Sequence, residues 1–258
     1  MIALLRLLLI AWVLLSAAVR AESSAFEVVA PLSPDASLDE ILDALDARGD
    51  SLRSLVARVE KTEVDLSLGE DAETRVGRVV YQRKPDESVR IRASFDKVRV
   101  GDRIREDRVE YLLENGLLID RTYRSRVENR QTLHRPGEKI DLFALGRGPF
   151  PLPIGQARSE VYAQFEVSRA GPQPDDPPSS LHVRLLPREG TELARKFKSI
   201  DVWIDPTDHM PRRVSTVNVQ ETVLTRTDFL DVHVNAPVED RDFELEKIRD
   251  DQWQIHQD

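Results

Sequence analysis

Hydrophobic and polar residues alternate along most of this chain with a period of two. The run RVGRVVYQRKPDESVRIRASF, residues 75–95, divides into two such stretches. Gly77, Val79 and Tyr81 face one way, and Arg78, Val80 and Gln82 the other. Val89, Ile91, Ala93 and Phe95 then alternate with Arg90, Arg92 and Ser94. Successive side chains of a strand point to opposite faces, so the pattern predicts two strands, each with one greasy side and one wet side. Pro85, which cannot donate to a ladder, suits the turn between them.

The alternation recurs downstream. Val64, Leu66 and Leu68 predict an earlier strand; Val109, Tyr111 and Leu113 predict a later one, turned at Glu114-Asn115-Gly116 into Leu117, Ile119 and Tyr123. Further strands are predicted at 129–134, 161–167, 181–185, 197–204, 212–220 and 223–235. Residues 98–107 are highly charged and read as a loop or a twisted edge. Residues 171–180, GPQPDDPPSS, read as a solvent loop at a hairpin tip.

A helical period appears near the start. Leu38, Ile41, Leu42 and Leu45 form an apolar stripe behind a capping box of Ser37 and Glu40, with Gly49 as the residue that ends the helix. Residues 141–155, DLFALGRGPFPLPIG, are apolar but broken by proline and glycine. Such a segment either packs on the core as a loop or serves as a mobile cover over a pocket. An antiparallel array with one apolar face must cover that face, with its own helices or with a ligand.

Composition and charge narrow the setting. Hydrophobic residues make up 40% and charged residues 32% of the 258, so a core forms only where apolar positions share a face. Residues 1–21 carry Arg6, an apolar run and small residues at Val19 and Ala21, the pattern of a signal peptide cleaved after Ala21. Loss of Arg6 and Arg20 leaves 35 basic against 46 acidic residues, a net charge of −11, which disfavours nucleic acid and anionic membrane surfaces. With no cysteine, disulfides, thiolate chemistry and a lipid-modified N-terminal cysteine are excluded, and export points to a periplasm. The expected organisation is a signal peptide (1–21), a flexible lead-in (22–36), one domain (37–246) and a polar tail (247–258).

Candidate chemistry is sparse. None of His134, His182, His209, His233 and His256 pairs at metal-ligand spacing, and no nucleophile elbow, phosphate loop or dinucleotide fingerprint is present. Asp205, Asp208 and His209 cluster after a strand, as ordinary turn residues or as a metal site. Arg78, Arg83, Lys84, Arg90 and Arg92 form either a solvated outer face or an anion site. The expectation is a binding protein without covalent chemistry, metal or cofactor.

The order of elements resembles the periplasmic lipoprotein carriers of the LolA-like, outer-membrane lipoprotein-sorting family. The resemblance is carried by LDEILDAL, by Gly77 to Pro85 and VRIRASF, by YLLENGLLIDRTY, by FKSIDVWIDPTDHMPRRV, and by the last strand reaching Asn235 before DFEL. It implies an α+β, mainly β fold: an unclosed, strongly curved antiparallel β-barrel, a half-barrel covered by short helices. It implies a monomer whose cavity takes lipoprotein acyl chains from an inner-membrane transporter and passes them to an outer-membrane acceptor. The candidate lining is Val79, Tyr81, Val89, Ile91, Ala93, Phe95, Tyr111 and Leu113. The candidate cover is Leu42 and Leu45, with Phe143 and Leu145. The family tethers its lid through a basic residue before the first hairpin's proline, usually arginine; Lys84 stands there, with Arg83 beside it. A sensor or regulator that binds lipid or lipoprotein on the same scaffold is the alternative.

Overall fold

The structure, a computed structural model, describes residues 29–67, 72–133 and 154–257. The signal-peptide expectation and the cover residues Phe143 and Leu145 lie outside the described residues. Helix α1 (Leu38–Ser51) opens the fold, and its capping box forms: Glu40 N–H donates to Ser37 Oγ, and Ser37 N–H donates back to Glu40 at 2.7 Å. Six strands follow: β1 (Ser54–Asp65), β2 (Glu73–Arg83), β3 (Val89–Val100), β4 (Arg103–Glu114), β5 (Leu117–Thr122) and β6 (Val127–Thr132). Helix α2 (Arg158–Gln164) leads into β7 (Phe165–Arg169), β8 (Leu181–Pro187), β9 (Phe197–Ile204), β10 (Pro211–Asn218), β11 (Val223–Val234) and a last short strand, β12 (Gln254–Gln257).

Among the described residues these strands form one sheet, in the order β12-β6-β5-β4-β3-β2-β1-β11-β10-β9-β8-β7. All neighbours are antiparallel except β12 and β6. The two end strands do not meet, so the sheet is not a closed barrel. It is nonetheless strongly bent. Leu113 of β4 and Leu185 of β8 belong to one hydrophobic cluster with Ile41, Leu42 and Leu45 of α1. In a flat sheet those strands, seven neighbours apart, would stand about 34 Å from each other. Bending is helped by β-bulges where register shifts at Val76/Gly77 and at Phe95/Lys97, since an extra residue curls and twists a ladder. At Gly77 a Cβ would lie 2.0 Å from the Ser94 carbonyl oxygen, so only glycine permits this close passage.

The convex face is covered too. Residues 238–246 cross it, and Phe243 packs with Val80 and Leu112 in a second cluster. Arg90 stacks on the Phe243 ring at 4.0 Å and donates to Asp240 at 2.6 Å, while Arg78 donates to Asp242 at 3.1 Å. The outer arginines of β2 and β3 therefore hold this strap. Glu110, buried beneath it, accepts from Arg92 and, at 2.6 Å, from Tyr123 Oη.

Five readings of the pattern differ in the structure. The strand predicted at Val64, Leu66 and Leu68 ends at Asp65, leaving Leu66 exposed in the turn, and Leu68 lies outside the described residues. Residues 98–107 are not a loop: β3 and β4 continue to a turn at Gly101 and Asp102, held by their ladder although 99–106 are exposed on both faces. The first half of 161–167 is helix, because Val161 and Phe165 also fit a helical spacing and both are buried. Gly49 lies inside α1, which runs two residues further. The tail after Lys247 adds β12 to the sheet edge, with Trp253 edge-on to Tyr123 at 5.3 Å.

Candidate functional site, a cavity on the inner face

Cross-strand pairing sorts the inner face into rows. The first is Leu55, Tyr81, Ile91 and Leu113, side by side on β1 to β4. The second is Ala57, Val79, Ala93 and Tyr111, with Asp120 beyond on β5. The third is Phe229, Val59, Gly77, Phe95, Val109 and Thr122. The fourth is Val214, Thr227, Lys61 and Arg75, and the fifth Thr216, Thr225, Glu63 and Glu73.

These rows have different fates. The first is buried with Ile41, Leu42 and Leu45 and borders no part of the large cavity, so this end is packed. The second and third rows border a cavity of about 540 Å³, where Val59, Val79, Ala93, Phe95, Val109, Tyr111 and Phe229 form an apolar lining. Phe197, preceding the core of β9, adds a further apolar wall. The fourth and fifth rows give the cavity its polar end, with Lys61, Glu63, Arg75 and three threonines. Exposure rises along the same axis: Phe95 is 5% accessible, whereas the Lys61 and Glu63 side chains are 36% and 52% accessible. The mouth is therefore at the polar rows.

Val79, Ala93, Phe95 and Tyr111, candidates from the sequence, border the cavity. Tyr81, Ile91 and Leu113 stand in the packed first row, and Val89, half-buried, packs against the same cluster. Leu42 and Leu45 point inward from α1. Lys84 Nζ donates to Glu114 Oε1 at 3.0 Å. The contact with α1 is made next door, where Arg83 Nη2 donates to the Gly49 carbonyl at 3.0 Å. Arg48 Nε completes the attachment by donating to the Asp208 carbonyl at 2.7 Å.

The electrostatics of the mouth are nearly balanced. Lys61 pairs with Glu63 at 2.6 Å. Arg75 pairs with Glu73 at 2.8 Å and Asp107 at 3.3 Å, and Arg105 shares Asp107. Deeper in, burial holds the Tyr111 hydroxyl above its usual range, and the charge of Asp120 adds to this. Burial likewise raises the Asp120 carboxyl, whose Oδ1 has no hydrogen-bond partner. The polar rows and Asp120 were not among the sequence candidates; their alternation with apolar neighbours at the same period was the available signal.

Among the described residues no group of three His, Asp or Glu side chains could hold a metal ion. Asp205 and Asp208 both accept from Arg212, at 2.9 and 2.6 Å, as a clamped turn. Among the described residues no helix is long and apolar enough to cross a membrane.

No family model matches the sequence, and no curated protein matches it. Solved structures similar to it include a putative outer membrane lipoprotein-sorting protein domain from Vibrio parahaemolyticus, at 13% identity over 79% of this chain and 94% of that one, with TM-score 0.38. A chain of the MucA/MucB complex of Pseudomonas aeruginosa is 11% identical over 81% of this chain, with TM-score 0.45, and only 60% of its own length is spanned. A LolA superfamily protein from Nitrosomonas europaea is 10% identical over 79% of this chain and 97% of that one, with TM-score 0.28. Likeness at this level describes the backbone path alone. What the chain binds has to come from its own cavity.

Proposed function

We propose that this protein is a periplasmic carrier that holds lipoprotein acyl chains in the inner cavity and moves them toward the outer membrane. The observation that supports this reading is the pair of apolar rows left open beyond the packed end of a bent sheet. A folded protein closes such space with side chains unless something else fills it. Hydrocarbon suits it, because each methylene taken from water contributes about 0.8 kcal/mol. A chain of ordinary length thus binds tightly without any covalent step.

Loading and delivery then fall to an inner-membrane transporter and an outer-membrane acceptor, with the carrier a monomer between them. Helix α1 is the element to move. It is fixed by buried leucines and by a few polar contacts at its end, from Arg83 and Arg48.

Native mass spectrometry of the protein isolated from a periplasmic extract tests the reading. A co-purifying acylated molecule, lost when Phe95 is enlarged to Trp, is the expected result. Protein that arrives empty and takes up no acylated peptide would overturn it.

A further inference from the structure

Resting on the acyl-carrier reading, we infer that the cavity as it stands takes one acyl chain of its guest, and that the head group held at the mouth is uncharged and hydrogen-bonding. Two observations define it.

The first is size. The cavity holds about 540 Å³. A methylene occupies roughly the volume share of a water molecule in the liquid, about 30 Å³. The space accordingly suits one chain on the order of eighteen carbons long. A second chain of that length has no room unless α1 leaves the packed first row.

The second is the chemistry of the mouth. Thr216, Thr225 and Thr227 stand together on β10 and β11, and Thr122 lines the cavity from β5. Among the described residues, none of these four hydroxyls has a side-chain hydrogen-bond partner. The charged groups beside them are ion-paired, although Arg75 Nη1 is buried without a hydrogen-bond partner among the described residues. Lys61 has Glu63, and Arg75 and Arg105 have Glu73 and Asp107. Three cations against three carboxylates leave no surplus charge for an ionic head. Free hydroxyls do offer donors and acceptors to an ester, an amide or an alcohol.

The test is displacement of the neutral dye Nile red from the mature protein at pH 8, with stoichiometry from native mass spectrometry. Monopalmitoylglycerol, palmitate and dipalmitoylglycerol are compared in the same neutral detergent. Monopalmitoylglycerol is expected to bind one to one and about tenfold more tightly than palmitate, the gain expected from two hydrogen bonds to the head. The double variant Thr216→Val and Thr225→Val, which keeps shape and strand preference, is expected to erase that gain by weakening the monoglyceride more than palmitate. Palmitate binding as tightly as the monoglyceride, or a double variant with no effect, would overturn the head-group assignment. Dipalmitoylglycerol binding with equal or greater affinity would overturn the single-chain count. In those outcomes the carrier reading stands. If no amphiphile displaces the dye or is seen bound, the carrier reading itself fails.

Discussion

Gly49 of α1 and Gly155 lie so close that a methyl group on Gly49 would sit 2.1 Å from the Gly155 Cα. Gly155 N–H also donates to the Leu45 carbonyl at 3.1 Å, across the same crossing. Gly49→Ala must push this segment off the helix, at a cost of about 1–3 kcal/mol. A fall in Tm of roughly 2–10 °C is expected. Gly171→Ala, with nothing within 4 Å of the added carbon, should leave Tm nearly unchanged. Calorimetry of the two variants checks the contrast.

Ile91 and Phe95 occupy the same face of β3 but different rows. Ile91→Ala empties part of the packed end and should cost about 2–5 kcal/mol in chemical denaturation. Phe95→Trp grows into existing space. It should remain folded and lower Nile red uptake several-fold. Equal destabilisation by both would mean that Phe95 has no open space beside it.

Arg83 and Lys84 are neighbours with unequal roles. Arg83→Gln removes a charged donor from the Gly49 carbonyl and should loosen α1 by about 1–2 kcal/mol. Lys84→Gln breaks a half-buried but solvent-accessible pair with Glu114 and should cost about 1 kcal/mol or less. Hydrogen exchange of the α1 amides reads the difference: faster in the first variant, unchanged in the second.

His209 is buried at the turn that receives α1. Burial pushes its imidazole below the usual value, and the nearby Arg48 guanidinium lowers it further against the opposing charges of Asp208 and Asp205. Among the described residues its Nε2 has no hydrogen-bond partner. The unfolded chain takes up a proton near pH 6.5, before the folded one does. Stability is therefore intact above that pH and falls as pH drops below it. His209→Gln should flatten the loss of Tm between about pH 6.5 and 5. An unchanged slope would place the effect elsewhere.

The alternation of residues 75–95 was legible as two strands and as one inner face, because period two depends only on the local backbone. Tyr81 and Phe95 alternate identically, yet one is in the packed end and the other borders the cavity. That difference depends on where α1 lies, which Arg83 and the Asp208 carbonyl fix from positions remote in sequence. Residues 99–106 were illegible because this end of the hairpin is exposed on both faces while its backbone ladder persists. β12 was illegible for a related reason: Gln254–Gln257 joins β6 through backbone bonds and needs no apolar alternation. The polar mouth was present in the sequence as Lys61, Glu63, Arg75, Thr225 and Thr227. Only the cross-strand register brings them to one end.

The inner rows run from solid, through open and greasy, to hydroxyl-rich, and while α1 stays seated this order gives the cavity a blind end and a doorway at the threonines. A guest lodged there would enter tail first and depart head first, without ever turning round. Any donor or recipient protein would then meet the guest's head before its hydrocarbon. Both exchanges would thus take place at the same few threonines.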